Sequence, residues 1–163
     1  MHVERARSDD AAAVRALVEE AAEFLTAHGI RQWAPGALPA SLIPRGIARG
    51  EVWVVRAGGG LAASLTLEDE DLETWGASDG SALYLHRLVV ARAHAGEGLG
   101  RRLLAWAGDE ARARGRRSLR LDCVASNTFL RRYYADAGFA ERGEVDVGRA
   151  RLARFEVTSL SSS

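Results

Sequence analysis

A chain of 163 residues that is 47% hydrophobic and 27% charged can build one globular core and is too polar to live in a bilayer. Its 22 basic residues, all arginine, balance 22 acidic ones, so no net field draws the chain to nucleic acid or to a membrane surface. The single cysteine, Cys123, excludes an internal disulfide and a cysteine-rich metal centre.

The opening MHVERARSDD carries no apolar leader-like run, and the expected location is cytoplasmic. Val3–Arg7 suits a short strand, with Ser8 or Asp9 placed to cap the helix that follows. From Asp10 to His28, the residues Val14, Leu17, Val18, Ala21 and Leu25 recur at three- and four-residue steps, one apolar helix stripe that Gly29 ends. Residues 29–50 hold all three prolines and Trp33, which predicts a loop with a second short helix near 39–49. Glu51–Arg56 and Leu61–Leu67 flank a glycine-rich turn, the pattern of a hairpin. The acidic, glycine-broken stretch after it reads as a loop. Leu83–Val90 is a strand that puts Tyr84, His86, Leu88 and Val90 on one face, if no bulge intervenes.

A helix follows from about Leu99 to Arg114, with Leu99, Leu103, Leu104 and Ala107 on its apolar stripe. Ser118–Val124 alternates as a strand, Ser126–Ala137 is a helix stopped by Gly138, and Phe139–Val147 and Arg151–Val157 are two more strands. The last five residues, SLSSS, read as a frayed tail after a single domain at 1–158. Strands alternate with helices, giving an α/β or α+β class with a mixed sheet.

The glycines at 96, 98 and 100 sit between a strand and a helix, where unpaired amides and the helix dipole favour an anion. Glycine lets that turn take positive φ and lets a phosphate approach the backbone. A plain tight turn is the alternative. The dinucleotide fingerprint fails because Arg101 stands where its third glycine belongs, and a Walker loop fails because the chain has no lysine.

The run LYLHRLVVARAHAGEGLGRRLLAWA, followed by LDCVASNTFLRRYYADAGF, resembles the GNAT superfamily of acyl-CoA-dependent N-acetyltransferases. Ala95-Gly96-Glu97-Gly98-Leu99-Gly100 matches its pyrophosphate loop, with Ala95 in place of the usual glutamine or arginine. Asn127, Tyr134, Gly138 and Phe139 match its second motif. The resemblance covers nearly the whole chain. It implies a central sheet of about six to seven strands, about four helices, and a splayed strand pair forming an acyl-CoA groove.

The resemblance implies acetyl transfer from acetyl-CoA, or another short acyl-CoA, directly to a primary amine. The backbone of Leu88, Val89 and Val90 would hold the pantetheine arm, with the Leu88 N–H donating to the thioester oxygen. Residues 95–100 and Arg101 would hold the pyrophosphate, with Arg92 and Arg102 as further charge, and Asn127 would line the cofactor. Tyr134 takes the place of the general acid, protonated at neutral pH because a phenol titrates near ~10; Tyr133 points roughly 100° away around the helix.

His86 is the candidate base, since an imidazole titrating near ~6.5 can accept a proton at neutral pH; a hydrogen-bonded core histidine is the equal alternative. Tyr84 is the second choice, and Glu20, Glu23 and Asp122 are further carboxylates that could order a water, with no spacing that selects one. A covalent route through Cys123 is disfavoured because no histidine neighbours it in sequence. The four histidines show no metal-ligand spacing, so no metal is expected.

Trp33, Tyr84 and His86 would line the acceptor site. The acidic run Glu68, Asp69, Glu70, Asp71 and Glu73 could attract a cationic amine or simply be solvated. The rival reading is a non-catalytic acyl-CoA-binding module of the same fold. A nucleic-acid domain using the arginines at 112–120 and 131–132 is remote, no membrane partner is expected, and a homodimer is left open.

Overall fold

The computed structural model describes residues 1–158, and the expected frayed tail lies outside them. They divide into two compact units, Met1–Leu67 with Arg87–Gly100, and Glu68–His86 with the described residues from Arg101 onward.

In the first unit, β1 (Val3–Arg5) and β3 (Gly60–Glu68) pair antiparallel with the two sides of β2 (Val52–Ala57). The β2–β3 hairpin turns on Gly58 and Gly59, both at positive φ (+58° and +80°), the two-residue turn whose twist matches the strands. Ala91, just beyond the fourth strand, donates its N–H to the Ala62 carbonyl at 2.8 Å and so continues the sheet beside β3. Helix α1 (Ala11–Ala27) buries Val14, Leu17, Val18 and Ala22 and gives way at Gly29, φ +69°. Helix α2 (Leu42–Ala48) adds Ile43 to a cluster with Ala6, Val14, Val52 and Val54.

Neither Ser8 nor Asp9 makes the expected cap. Ser8–Asp10 forms a turn of 3-10 helix, and the Asp10 carboxylate accepts the Arg7 N–H at 2.7 Å. The same carboxylate receives both Nη atoms of Arg56, at 2.9 and 2.8 Å, and is nearly buried. With these two partners, Asp10 bridges β2 and the entry to α1.

In the second unit, the first residues of β4 (Ala82–Val90) pair in parallel with β5 (Ser118–Val124). Strand β7 (Ala150–Thr158) runs antiparallel to both β5 and β6 (Ala140–Val147). The seven strands follow the order β1-β2-β3-β4-β5-β7-β6 in one mixed sheet. Helices α4 (Leu99–Ala113) and α5 (Thr128–Asp136) match the expected ones closely.

The stretch after β3 is not all loop. Leu72–Trp75 forms a short helix, α3, because the Asp71 side chain caps it by accepting the Thr74 N–H at 3.2 Å. Trp75 then packs beneath two guanidinium groups, Arg120 at 4.7 Å and Arg154 at 5.4 Å from its ring.

Period-two alternation gives this second unit two unlike faces. Leu119, Leu121 and Cys123 of β5 and Ala153 and Phe155 of β7 are all buried on one side. Arg120 and Asp122 of β5 project from the other side, with Arg154 and Glu156 as their ladder partners on β7.

The Asp10–Arg56 pair yields a stability prediction. Hydrogen bonding to Arg56 holds the Asp10 carboxyl below the usual range, so it stabilises the fold above its unfolded value and less as pH falls through it. Asp10→Asn is therefore expected to lower the thermal midpoint clearly at pH 7 and much less near pH 3, as read by melts across that range.

Candidate active site

The site is built on β4, whose path departs from a simple alternation. The parallel ladder joins Ala82, Leu83 and Tyr84 to Ser118, Leu119 and Arg120, three pairs at one end of strands nine and seven residues long. Further on, Arg87 has φ +51°, a left-handed conformation at a residue with a Cβ. The proviso about a bulge therefore matters: Tyr84 and His86 precede this irregularity, and Leu88 and Val90 follow it. Val89 is buried against Leu17, Val18 and Ala91, while Leu88 and Val90 are half-buried.

His86 projects into a group of carboxylates within the second unit. Its Nε2 lies 3.4 Å from Asp71 Oδ2 and 3.8 Å from Glu68 Oε2. Ligating atoms of Asp71, His86 and Asp122 all lie within 4.8 Å of one another. Asp71 divides its two oxygens, Oδ1 capping α3 and Oδ2 facing the imidazole. Both Oδ2 and the His86 Nε2 are shut off from solvent, and neither has a hydrogen-bond partner among the described residues. Burial pushes the Asp122 carboxyl up to about 6; a charged His86 would pull it down and the Asp71 carboxylate pushes it further up.

Of the three carboxylates that no spacing separated, Asp122 is the one that lies beside His86. Glu20 accepts the Arg92 N–H at 3.2 Å in the first unit, and Glu23 is exposed. In the acidic run, Asp69 binds Arg116 at 2.7 Å and Glu70 and Glu73 face solvent, which leaves Glu68 and Asp71 beside the imidazole. Asp71 had no special standing in the sequence. An aspartate just before Leu-Glu-Thr-Trp is a helix-capping pattern, and that signal would have placed it.

Tyr134 packs on the opposite, apolar face of the same unit, with ring contacts to Phe139 at 6.0 Å and Phe155 at 5.7 Å. Burial, and then the neighbouring Cys123 and Asp122, push its phenol upward, so it carries its proton throughout the physiological range. Asn127 is the N-cap of α5 and accepts the Leu130 N–H at 3.0 Å, one residue outside the helix in which it was expected. Cys123 is fully buried and its thiol is pushed up to about 12, chiefly by burial, a poor state for a nucleophile.

The glycine loop belongs to the first unit up to Gly100. Gly96 and Gly98 have φ of +82° and +72°, and a Cβ at either would meet nothing within 4 Å. Backbone conformation, not crowding by the protein, is what calls for glycine there. Ala95, Gly96, Glu97 and Gly98 are exposed, Leu99 is buried, and Gly100 is half-buried. Glu97 pairs with His94 at 3.3 Å.

The arginines weighed as compensating charge have separate contacts. Arg92 lies over the Phe24 ring at 3.6 Å, Arg101 donates to the Asp136 carbonyl at 3.1 Å, and Arg102 is exposed. Arg101 also stands at one wall of a cavity of about 390 Å³ along α4, with Leu104, Gly108, Arg112, Phe139 and Thr158.

Two of the residues expected around the acceptor are packed into the protein. Tyr84 is 1% exposed and its hydroxyl accepts from Arg120 at 3.1 Å. Trp33 packs against the cluster of Leu17, Val18, Val89 and Ala91.

Burial of Asp122 predicts an unusual pH dependence. A folded value near 6 lies above the unfolded one, so the ionised carboxylate costs stability as pH rises through that window. Asp122→Asn is expected to raise the melting temperature at pH 7.5 and to leave it nearly unchanged at pH 4. A variant less stable than the parent at pH 7.5 would contradict this.

Comparison with known proteins follows the same lines. The sequence model of the acetyltransferase (GNAT) family matches residues 14–139. The Bacillus subtilis protein YesJ, described as an uncharacterized N-acetyltransferase, is 34% identical over 160 residues, covering 93% of this chain and 87% of its own. A GNAT-family acetyltransferase from Listeria monocytogenes superposes with a TM-score of 0.80 at 25% identity, over 96% of this chain and 94% of that one. The yncA protein of Salmonella typhimurium, solved with its cofactor acetyl-CoA, shares the fold at a TM-score of 0.70 and 22% identity, over 100% of this chain and 96% of that one.

Proposed function

Because the chain belongs to the GNAT family of acetyltransferases, we propose that it moves an acetyl group from acetyl-CoA directly onto a primary amine, with no covalent enzyme intermediate. Membership makes it an acyl-CoA-dependent N-acyltransferase; direct transfer, the amine and the residue roles are the proposal. The observation that carries it is the family match over residues 14–139, which takes in Leu88, the glycine loop and Asn127–Tyr134 together.

Acetyl-CoA supplies an activated thioester, and each residue has a defined task toward it. Residues 95–98 are exposed; the Ala95 N–H donates to the Arg92 carbonyl at 3.2 Å, and the backbone of Gly96, Glu97 and Gly98, with Leu99 and Gly100 opening α4, suits a pyrophosphate approached from solvent. The Leu88 N–H donates to the thioester oxygen as negative charge grows there, while the backbone of Val89 and Val90 continues the pantetheine track. Arg101 and Asn127 complete the cofactor's surroundings.

Tyr134 Oη protonates the departing sulfur, and its raised phenol guarantees that the proton is present. His86 accepts the proton that the amine must lose before its lone pair can attack. The inert thiol of Cys123 supports direct transfer over a ping-pong route.

Free-thiol release from acetyl-CoA across a panel of amines tests the reading. Tyr134→Phe is expected to lower kcat by about a hundredfold or more while acetyl-CoA affinity holds, the range of a lost general acid. Unchanged kcat would remove Tyr134 from that role. Cofactor binding without thiol release from any amine would contradict acetyl transfer itself.

A further inference from the structure

We propose that Asp71 fixes the tautomer of His86: its buried carboxylate holds the imidazole proton on Nε2 and leaves Nδ1 as the nitrogen that accepts a proton. Asp71 is thus a positioning residue that acts through His86. The inference rests on the role of His86 in the transfer proposed above, and adds which nitrogen serves that role and what decides it.

Both carboxylates that pair with His86 face one nitrogen. Nε2 lies 3.4 Å from Asp71 Oδ2 and 3.8 Å from Glu68 Oε2. An ionised carboxylate only accepts hydrogen bonds, whereas a neutral imidazole carries one N–H and one lone pair. With the proton on Nε2, partial positive charge faces these oxygens. With the proton on Nδ1, the Nε2 lone pair faces them instead, acceptor against acceptor. The 3.4 Å separation exceeds that of a formed hydrogen bond, so charge rather than a bond makes the difference. Asp71 Oδ2 and His86 Nε2 are both shut off from solvent, which leaves that charge poorly screened.

Asp71 is held in place by its other oxygen. Oδ1 caps α3 by accepting the Thr74 N–H at 3.2 Å, and Trp75, at the end of that helix, packs beneath Arg120 and Arg154. The carboxylate cannot turn from the imidazole without giving up the cap. Exposure points to the same assignment. The His86 side chain keeps 20% of its surface while Nε2 is buried, so a group arriving from solvent meets another part of the ring. Nδ1 is the only other nitrogen there.

The transfer then uses the ring in one sense. One proton passes from the amine to Nδ1 and frees the nitrogen lone pair. The imidazolium so formed keeps its Nε2 N–H toward the Asp71 carboxylate, which stabilises the positive charge. The amine nitrogen forms the C–N bond as the C–S bond breaks, and sheds a second proton on becoming the amide nitrogen. Sulfur gains one proton from Tyr134, which recovers it, and one net proton reaches solvent.

Nitrogen-15 chemical shifts of the His86 ring, read on the neutral imidazole at pH 9, test this without turnover. Wild type is expected to carry the proton on Nε2. Asp71→Asn keeps the cap, since asparagine caps as well as aspartate, and turns an NH2 donor toward Nε2. Its proton is expected on Nδ1 in at least half of the molecules. Asp122→Asn leaves Asp71 and Glu68 facing Nε2 and is expected to keep the wild-type tautomer. Free-thiol release with butylamine gives the second readout. Asp71→Asn should lower kcat by about a hundredfold, the low end for a lost general base, with the acetyl-CoA KM in place.

A proton on Nδ1 in wild type, or the same tautomer in Asp71→Asn as in wild type, would overturn the inference. So would a proton moved by Asp122→Asn, since another carboxylate would then set it. A moved proton in Asp71→Asn with kcat unchanged would overturn the assignment of Nδ1 and leave acetyl transfer standing. If wild type releases no thiol with butylamine, transfer to such an amine fails, while the tautomers still decide for or against Asp71.

Discussion

The alternation of β5 is the constraint on which the chemistry of the second unit depends. Leu119, Leu121 and Cys123 must point into an apolar face, and that forces Arg120 and Asp122 to the other. A one-residue slip would bury both charged groups among leucines. With the register held by seven pairs to β7, Asp122 stands beside His86 on one side, and Tyr134 packs near Cys123 on the other. The Asp122 carboxyl and the Tyr134 phenol are thereby kept on opposite faces of β5.

Strand β4 supplies the second element. Its ladder with β5 joins Ala82, Leu83 and Tyr84 to Ser118, Leu119 and Arg120, and Arg87, further on, takes a left-handed conformation that costs an L-residue about 1–2 kcal/mol. Such strain persists only where neighbouring structure over-determines it, and it gathers at functional sites. Here it falls immediately after His86 and immediately before the backbone assigned to the cofactor arm.

How far the sequence revealed these features depended on whether each signal was local. The glycine loop, the Asn127–Tyr134 spacing and the two long helices are patterns within short windows, and they could be read directly. Element order gave the mixed sheet, while its strand number and the GNAT fold came from the family resemblance that the two motifs carry. Asp71 was hidden because its partners, His86 and Asp122, lie in other elements and no linear spacing joins the three. Helix α3 was hidden because one capping side chain and the packing of Trp75, not apolar periodicity, make it. The Arg87 irregularity leaves no residue signature, since an arginine in a strand looks like any other. Tyr84 shows the limit of face arguments: it shares a side with His86, but Arg120 and Trp75 cover it.

The burial of the Asp122 carboxyl beside His86 follows from the register of β5. Carbon-13 NMR titration of the Asp122 carboxyl, followed alongside the His86 ring signals, reads it most directly. A carboxyl midpoint near pH 6 is expected. An Asp122 carboxyl that titrates near pH ~4, the ordinary value for aspartate, would contradict it.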